Sequence, residues 1–285
     1  MVFEILELAA NAKINISLDV IGKREDGYHD VKMIMQSIAL HDKIKMEITD
    51  KDISIECNCP WIPTDKSNTA YKAAELLINN FKIKKGVKII IDKNIPVAAG
   101  LAGGSSDAAA VLKGVNELFH LNIDQFSMLK FGKEIGADVP YCLRGGTMLS
   151  EGIGEILTEL EPFPATNIVL VKPKINVSTA WAYKNLNIKS LTRRPDTELL
   201  LSAIKVHDLN KIAKNMVNVL EEVTVKKHGL IEEIKKRLLD LGAMGSIMSG
   251  SGPTVFAIFM DSYSAQKAFS EIKSENWECY LTHTV

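Results

Sequence analysis

One stretch of the sequence decides the fold: Pro96-Val97-Ala98-Ala99-Gly100-Leu101-Ala102-Gly103-Gly104-Ser105-Ser106-Asp107. The apolar run before it, Val87–Ile91, predicts a strand, and the Ala-rich run after it, Ala108–Leu112, predicts a helix. Small side chains let the main chain approach a ligand closely. Ser105 or Ser106 is expected to cap the helix, whose free amides would face that ligand. The stretch therefore predicts a cradle for an anion, most commonly a phosphate group.

Two better-known phosphate motifs do not match this stretch. The Walker A pattern needs a lysine after its last glycine, and Gly-x-Gly-x-x-Gly fails because Ala102 stands where that spacing requires glycine. The methyl group of Ala102 disfavours a positive φ angle, so an ordinary backbone conformation is expected there. An ordinary glycine-rich turn before a helix remains the alternative.

The composition is that of an ordinary globular protein. The chain has 285 residues, of which 24% are charged and 46% hydrophobic, and this length allows two domains. Lys and Arg number 34 against 35 Asp and Glu, so no basic excess indicates a nucleic-acid partner. No apolar run is long enough to cross a membrane, and the first residues lack the features of a signal peptide. The expected compartment is the cytoplasm.

The cysteines at positions 57, 59, 142 and 279 do not form a metal-binding pattern. Cys57 and Cys59 make a Cys-x-Cys pair, but no second pair of Cys or His completes a zinc site. Reduced structural thiols are expected.

Residues 6 to 21 alternate between apolar and polar side chains, which predicts a strand. One face carries the apolar side chains from Leu6 to Val20. The other presents Asn11, Lys13 and Asn15 together. A solvated outer face would explain this arrangement, but asparagine is a poor strand former, and here two of them flank one lysine. A functional polar face is the alternative.

The rest of the chain mixes strands and helices, which predicts the α+β class. A domain boundary is expected near residue 160, giving domains 1–160 and 161–285. A loop is expected over 136–141. Ser67 or Asn68 is expected to cap the helix predicted over 70–81. Extended segments are predicted at 28–40, 44–48, 53–57, 168–171, 246–248, 255–259 and near 280. Helices are predicted at 70–81, from the Ser105 or Ser106 cap to about 118, and at 125–136, 178–187, 196–205, 208–223, 229–241 and 264–273.

A second glycine-rich segment, Ser249-Gly250-Ser251-Gly252-Pro253-Thr254, lies between two apolar strands. A hairpin turn would explain it. A two-strand connection rarely needs so many small residues, however, whereas a backbone that bends close to a phosphate does. The ligand interpretation is favoured.

Three polar or aromatic groups are further candidates for a site. Asp138 lies in Gly-Ala-Asp-Val-Pro, where it is either a turn residue or a general base that takes the proton from a hydroxyl group. Tyr28-His29 is either a packed pair or a plate and polar edge for a nucleobase. Tyr183 is either a second plate or part of a helix core.

Taken together, the motifs resemble those of the GHMP small-molecule kinases. The family has an N-terminal strand motif, a central Pro-x-x-x-Gly-Leu-x-Gly-Gly-Ser-Ser loop and a C-terminal Gly-Ser-Gly-Pro segment. Here they are Ala12–Asn15, Pro96–Ser106 and Ser249–Thr254, in the same order and over nearly the whole chain. The long block Ala12–His29 is similar to that of the members that phosphorylate the 2-hydroxyl of a cytidylylated methylerythritol, in the non-mevalonate isoprenoid route.

The resemblance implies a two-domain fold with a left-handed βαβ crossover in the N-terminal domain and a ferredoxin-like C-terminal domain. It also implies ATP and Mg²⁺ as cofactors. By residue match, Asp138 would be the base and Lys13 its charged partner. For ATP, the resemblance assigns Pro96 to Ser106 to the phosphates and places Asn68 and Lys93 near the adenine. For the substrate, it assigns Asn15, Tyr28, His29, Thr179 and Tyr183.

Several points stay open at this stage. The metal ligands are unknown, although Ser105 or Ser106 is a candidate, and a monomer or weak homodimer is expected. Another family member, acting on homoserine or mevalonate compounds, is one alternative. A non-catalytic sensor of a phosphorylated ligand is another, against which Lys13 and Asp138 argue, because binding alone needs no base.

Overall fold

Strands and helices alternate along the chain and group into two compact units. The computed structural model describes residues 5–275 and 277–285; residues 1–4, part of the N-terminal segment considered above, and Asn276 lie outside the described residues. Unit 1 contains the chain up to Ala12, His41–Ile95 and Ala102–Gly145. Unit 2 contains Lys13–Leu40, Pro96–Leu101 and the chain from Gly146 onward. The domain boundary expected near residue 160 stays a prediction.

The strands include two long ones near the N-terminus and shorter ones after them. They are β1 (Leu6–Lys23), β2 (His29–Thr49), β3 (Ser54–Cys57), β4 (Gly86–Asp92), β5 (Thr147–Glu151), β6 (Ile156–Glu159), β7 (Asn167–Lys172), β8 (Val217–Asn218), β9 (Gly245–Met248), β10 (Val255–Phe259) and β11 (Glu278–His283).

The helices are mostly short, and most of them begin at a capping Asn, Asp or Ser side chain. They are α1 (Thr69–Asn80), α2 (Gly103–Leu118), α3 (Gln125–Ile135), α4 (Val139–Arg144), α5 (Thr179–Asn185), α6 (Thr197–Lys205), α7 (Leu209–Asn215), α8 (Glu221–Lys227), α9 (Leu230–Asp240) and α10 (Ser262–Ile272).

Unit 1 is built on a parallel strand pair joined by a helix. β3 runs parallel to β4, with Ser54 opposite Lys88, and α1 connects them. β4 also pairs antiparallel with the second part of β2. α1 and α2 pack through small residues, which lets their axes come close, and the core continues into α3 and α4. The expected βαβ unit is present; the left hand of its crossover stays a prediction.

Unit 2 contains an antiparallel sheet with the strand order β11-β7-β10-β9. In chain order these are the fourth, first, third and second strands of a βαββαβ arrangement, which is the ferredoxin-like topology. α9 packs on β9 and β10, and α10 packs on β7, β10 and β11. Also in this unit, β5 pairs with β2 and β6, and β8 runs parallel to β1. The α+β class and the ferredoxin-like part are confirmed.

Three expectations about the elements need correction, and two further strands were not expected. The segments expected at 28–40 and 44–48 are one strand, β2, which continues through the polar residues between them. The helix expected over 208–223 is interrupted, since Val217 and Asn218 pair with β1 instead. The loop expected over 136–141 contains the start of α4, where Pro140 suits the first turn. Finally, β5 and β6 were not expected at all.

Gly86 is a position where the fold needs glycine for space. A Cβ atom there would collide with the main chain of Asp52. Because backbone cannot rotate away, Gly86→Ala should destabilise the protein by about 1–3 kcal/mol, read from the shift of the urea unfolding midpoint. Gly22→Ala is the matched control, since nothing lies within 4 Å of its added Cβ. Equal midpoints for the two variants would contradict this account of Gly86.

Candidate active site

The polar face of β1 is buried rather than solvated. Lys13 is only 4% exposed, and Asn15 and Ser17 are completely buried. Both faces of the strand are covered from Ala12 to Val20. The solvated-face alternative is therefore wrong, and an ammonium group is placed inside the protein, where it needs polar partners.

Main-chain and side-chain oxygens supply such partners to Lys13. Its Nζ donates to the Asn15 Oδ1 at 2.7 Å and lies 3.4 Å from the carbonyl oxygen of Gly100. The backbone amide of Lys13 donates to the carbonyl of Leu101 at 3.2 Å. The structure thus brings together two predicted site residues, Lys13 and Asn15, and the first part of the glycine-rich loop.

The loop is shaped by repeated positive φ angles. Ala98, Gly100 and Ala102 have φ angles of 52°, 74° and 59°. The expectation of an ordinary conformation at Ala102 is wrong. The left-handed conformation costs an alanine roughly 1–2 kcal/mol, and it is adopted here because the chain must turn directly into α2.

The expected serine cap of α2 is also wrong. The helix begins at Gly103 with Ala102 at the cap position, so Ser105 and Ser106 lie in its first turn. Ser106 Oγ instead donates to the carbonyl of Asn11 at 2.7 Å. Because alanine has no side-chain oxygen, Ala102 leaves the first amides of α2 without the capping bond that a polar residue would give.

The second glycine-rich segment contacts the main chain of the first glycine-rich loop. Ser249 Oγ donates to the Gly100 carbonyl at 3.0 Å, and a Cβ atom on Gly100 would collide with the Ser249 carbonyl. The segment also connects β9 and β10, in a register that pairs Met248 with Val255. The hairpin interpretation is therefore correct for the segment's topology, while direct ligand binding by it stays a prediction.

Asp138 lies in unit 1, half-buried at the start of α4. Its side chain makes no capping bond to the helix that it precedes. The carboxylate is thus not used as the cap of α4. The general-base role stays a prediction.

The two residues expected near the adenine have structural contacts of their own in unit 1. Asn68 caps α1 by accepting from the amide of Ala70 at 2.8 Å, and it donates to the carbonyl of Pro63. Lys93 Nζ donates to Asp42 Oδ2 at 2.5 Å and to Asp107 Oδ2 at 2.7 Å. Their proximity to adenine stays a prediction.

Lys93, Asp42 and Asp107 form a buried triad with one positive and two negative groups. Burial raises the pKa of Asp107 to about 7, because the attraction of Lys93 only partly offsets desolvation and the repulsion of Asp42. The two carboxylates raise the pKa of Lys93 despite its burial. A Cβ atom on Gly103 would lie 3.0 Å from Lys93 Nζ, so the triad supports the first turn of α2.

Sequence reasoning missed Asp42 and Asp107. Asp107 follows the loop directly, and a charged side chain inside an Ala-rich helix start was an available signal. Asp42 lies between two of the predicted extended segments, and nothing in the local pattern indicated its partner.

Two predicted substrate residues of unit 2, His29 and Tyr183, are in contact. The His29 and Tyr183 rings have centroids 5.2 Å apart and are tilted by 39°. Burial lowers the pKa of His29, and the charge of Lys23 adds to that effect. Tyr28 is 58% exposed, so its ring is open to a ligand. Thr179 Oγ1 lies 2.9 Å from Ser251 Oγ.

Over the described residues, 5–275 and 277–285, two features are not found. None of the helices there combines the length and apolar character needed to span a membrane. In the same residues, His, Cys, Asp and Glu side chains do not gather in threes around a metal-sized space.

Comparison with known families gives a direct result. The family model for the GHMP kinases N terminal domain matches residues 68–146, and that for the GHMP kinases C terminal matches residues 200–279. Relatives match the chain from end to end. The chain belongs to the GHMP kinase family. The resemblance inferred from the three motifs is confirmed.

Two curated relatives of this GHMP kinase carry the same name. The protein called 4-diphosphocytidyl-2-C-methyl-D-erythritol kinase of Acetivibrio thermocellus is 58% identical over 99% of this chain and 100% of its own. The protein of that name from Clostridium kluyveri is 52% identical over 98% of this chain and 99% of its own.

Solved structures agree on the fold of this GHMP kinase. A crystal structure of 4-(cytidine 5'-diphospho)-2C-methyl-D-erythritol kinase superimposes with a TM-score of 0.84 at 29% identity, covering 98% of this chain and 99% of that one. Homoserine kinase from Cytophaga hutchinsonii superimposes with a TM-score of 0.78 at 20% identity, covering 100% of this chain and 96% of that one. The second likeness shows the fold alone.

The raised pKa of Asp107 predicts a pH-dependent stability. Between its ordinary value and about 7, the folded state keeps a proton that the unfolded state releases, so stability falls as pH rises through this range. The unfolding free energy should fall by roughly 1 kcal/mol or more between about pH 5.5 and about pH 8, and Asp107→Asn should reduce that fall.

Urea unfolding at each pH measures this effect. Asp208→Asn is the control, because Asp208 is exposed and asparagine caps α7 equally well. It should keep the wild-type pH dependence. An unchanged slope in Asp107→Asn would place the titrating group elsewhere.

Proposed function

We propose that this GHMP kinase transfers the γ-phosphoryl group of ATP to the 2-hydroxyl of 4-diphosphocytidyl-2-C-methyl-D-erythritol, giving the 2-phosphate and ADP. The reaction would serve the non-mevalonate route to isoprenoid precursors. The proposal follows the name shared by the curated relatives and the residues of this chain that match their motifs.

The observation that carries the proposal is the buried ammonium of Lys13 beside the main chain of the glycine-rich loop. Nζ lies 3.4 Å from the Gly100 carbonyl, and two further residues of the loop have left-handed backbone. Successive main-chain amides in such a conformation form anion-binding concavities. A fixed positive charge at this loop is suited to the charge that develops on a phosphoryl group in transfer.

In the proposed mechanism, the substrate oxygen attacks the γ-phosphorus and the bond to the β-phosphate oxygen breaks. Asp138 takes the proton of the attacking hydroxyl, and ADP leaves. Lys13 offsets negative charge, and Asn15, which accepts a bond from it, fixes its direction and helps to place the acceptor. Residues Pro96 to Ser106 hold the phosphates. Such catalysis rests mainly on positioning and electrostatics.

Mg²⁺ fits the oxygen donors found at the start of α2. The hydroxyl of Ser105 lies in the half-buried first turn, whereas that of Ser106 is bonded to Asn11. Mg²⁺ commonly keeps several waters and takes its other ligands from phosphates and one or two protein oxygens. Ser105 is therefore the proposed protein ligand. When bound, the ion would neutralise charge on the phosphates.

The cytidine end would be bound by the aromatic group of unit 2. Tyr28 offers an exposed ring, while the adjacent His29 and Tyr183 rings offer a stacking face and a polar edge. Thr179 is placed by its contact with Ser251, so its hydroxyl is proposed to contact the substrate.

The decisive test of substrate is an ADP-release assay. The cytidylylated methylerythritol should support turnover, while homoserine and mevalonate should not. Turnover with homoserine or mevalonate alone would favour the alternative family member. ATP binding without turnover of any alcohol would favour a sensor.

Asp138→Asn should lower kcat by at least about 100-fold, because the amide cannot accept the proton. ATP affinity measured by calorimetry should change little. Asp124→Asn is the matched control: Asp124 caps α3 from outside the proposed site, and asparagine preserves the cap. An unaffected turnover in Asp138→Asn would assign the base to another group.

Gly104→Val should weaken ATP binding at least about tenfold by placing a branched side chain at the exposed first turn of α2. An added Cβ there meets only the Thr69 hydroxyl, at 3.3 Å, so the fold should survive. Gly103→Val is a poorer test, since its Cβ would press on Lys93 and Ile95. Calorimetric ATP affinity and the melting temperature are the measurements. Wild-type affinity in Gly104→Val would contradict the phosphate-loop assignment.

A further inference from the structure

Asn218 is a buried side chain of unit 2 whose amide is fully used. Its Nδ2 donates to the carbonyls of Met248 and Gly250, at 2.8 and 2.7 Å. Its Oδ1 accepts from the amide of Leu220 at 3.0 Å. Both amide hydrogens therefore hold the main chain where β9 ends and the second glycine-rich segment begins.

Glu221 bonds to the same stretch of main chain, at the amide of Met248. Its Oε1 accepts from the amide of Met248 at 2.7 Å, and Lys235 Nζ lies 2.8 Å from its Oε2. The carbonyl of Met248 is thus bonded to the buried Asn218 and its amide to the half-buried Glu221. Because the carboxylate of Glu221 is paired with Lys235, its negative charge is compensated.

The second glycine-rich segment, held by Asn218 and Glu221, reaches the Lys13 ammonium. Ser249 Oγ donates to the Gly100 carbonyl at 3.0 Å, and that carbonyl also faces Lys13 Nζ at 3.4 Å. A Cβ atom on Gly250 would lie 3.0 Å from the Gly100 oxygen and 3.5 Å from Lys13 Nζ. The Gly100 carbonyl is therefore set between the segment and the lysine.

Asn218 is also tied to the strand that carries Lys13. It stands opposite Leu18 in the parallel pairing of β8 with β1, and the amide of Val219 donates to the Leu18 carbonyl at 3.0 Å. Its backbone is fixed to β1, while its side chain is fixed to the segment that contacts Gly100. Asn218 thus links β1 to the second glycine-rich segment, and both of these contribute to the surroundings of the Lys13 ammonium.

We propose that Asn218 is a positioning residue for phosphoryl transfer: through the Ser249–Gly252 segment it places the Gly100 carbonyl, and thereby the Lys13 ammonium. The inference rests on the proposed function only in assigning Lys13 to the reaction. Asn218 acts through main-chain carbonyls, so its side chain needs no contact with substrate or ATP.

Asn218→Asp tests the proposal with a side chain of the same shape. A carboxylate cannot donate to the two carbonyls and repels them, so the segment should lose its position. We expect kcat to fall at least about tenfold at saturating substrates, since small misplacements of a catalytic group are costly. The KM of the alcohol should change less than kcat, because His29 and Tyr183 lie outside the segment and only Thr179 is bonded to it, through Ser251.

A matched control and a second variant separate positioning from folding. Asn215→Asp removes an amide donor from the neighbouring helix α7, where Asn215 bonds to the Lys211 carbonyl, and kcat should be unchanged. Ser249→Ala removes the hydrogen bond from the segment to the Gly100 carbonyl and should also lower kcat. If both act through Gly100, the double variant should be within about twofold of the poorer single variant. Multiplied losses would indicate unrelated structural damage and overturn the proposal.

Hydrogen exchange gives a readout that needs no turnover. The peptide covering residues 96–102 should exchange faster in Asn218→Asp than in the wild type, and not in Asn215→Asp. Unchanged exchange together with wild-type kcat would overturn the proposal. If the cytidylylated alcohol is not a substrate, the proposed function fails, but exchange and the kcat ratios with whichever alcohol is accepted still decide the role of Asn218.

Discussion

The ammonium group of Lys13 is buried, and a buried charge must be met by polar atoms. Asn15 meets it from the same strand, and the Gly100 carbonyl meets it from the glycine-rich loop. That carbonyl also accepts from Ser249. Three segments far apart in sequence are therefore held in register by one charge and one main-chain oxygen, and these segments are the three motifs that define the family.

Main-chain contact explains why the motifs are rich in glycine. At Gly100 a side chain would collide with the Ser249 carbonyl, and at Gly250 it would press on the Gly100 carbonyl. Both residues also have positive φ angles. The second glycine-rich segment thus has a clear physical task, which is to bring backbone against backbone, in addition to closing a hairpin.

Two further arrangements support the proposed chemistry from within each unit. In unit 1, Lys93 is paired with Asp42 and Asp107 and packs against Gly103 in the first turn of α2. The start of this helix therefore contacts buried charged groups and has no side-chain cap. In unit 2, His29 and Tyr183 meet ring to ring although they are distant in sequence. The first arrangement places Asp107, a carboxyl group of raised pKa, near the start of α2, and the second places two aromatic rings against each other.

Local pattern was enough to predict β1, the helix after the loop, the α+β class and the three motifs, because strand alternation, small residues and helix caps act over a few neighbours. It did not reveal that the polar face of β1 is buried, since only the elements packed over it decide that. The left-handed backbone at Ala102, the interruption of the 208–223 helix by β8, and the partners of Lys93 and Asn218 depend equally on distant segments. Burial and hydrogen bonding between such segments are properties of the folded chain, so tertiary structure alone decided them.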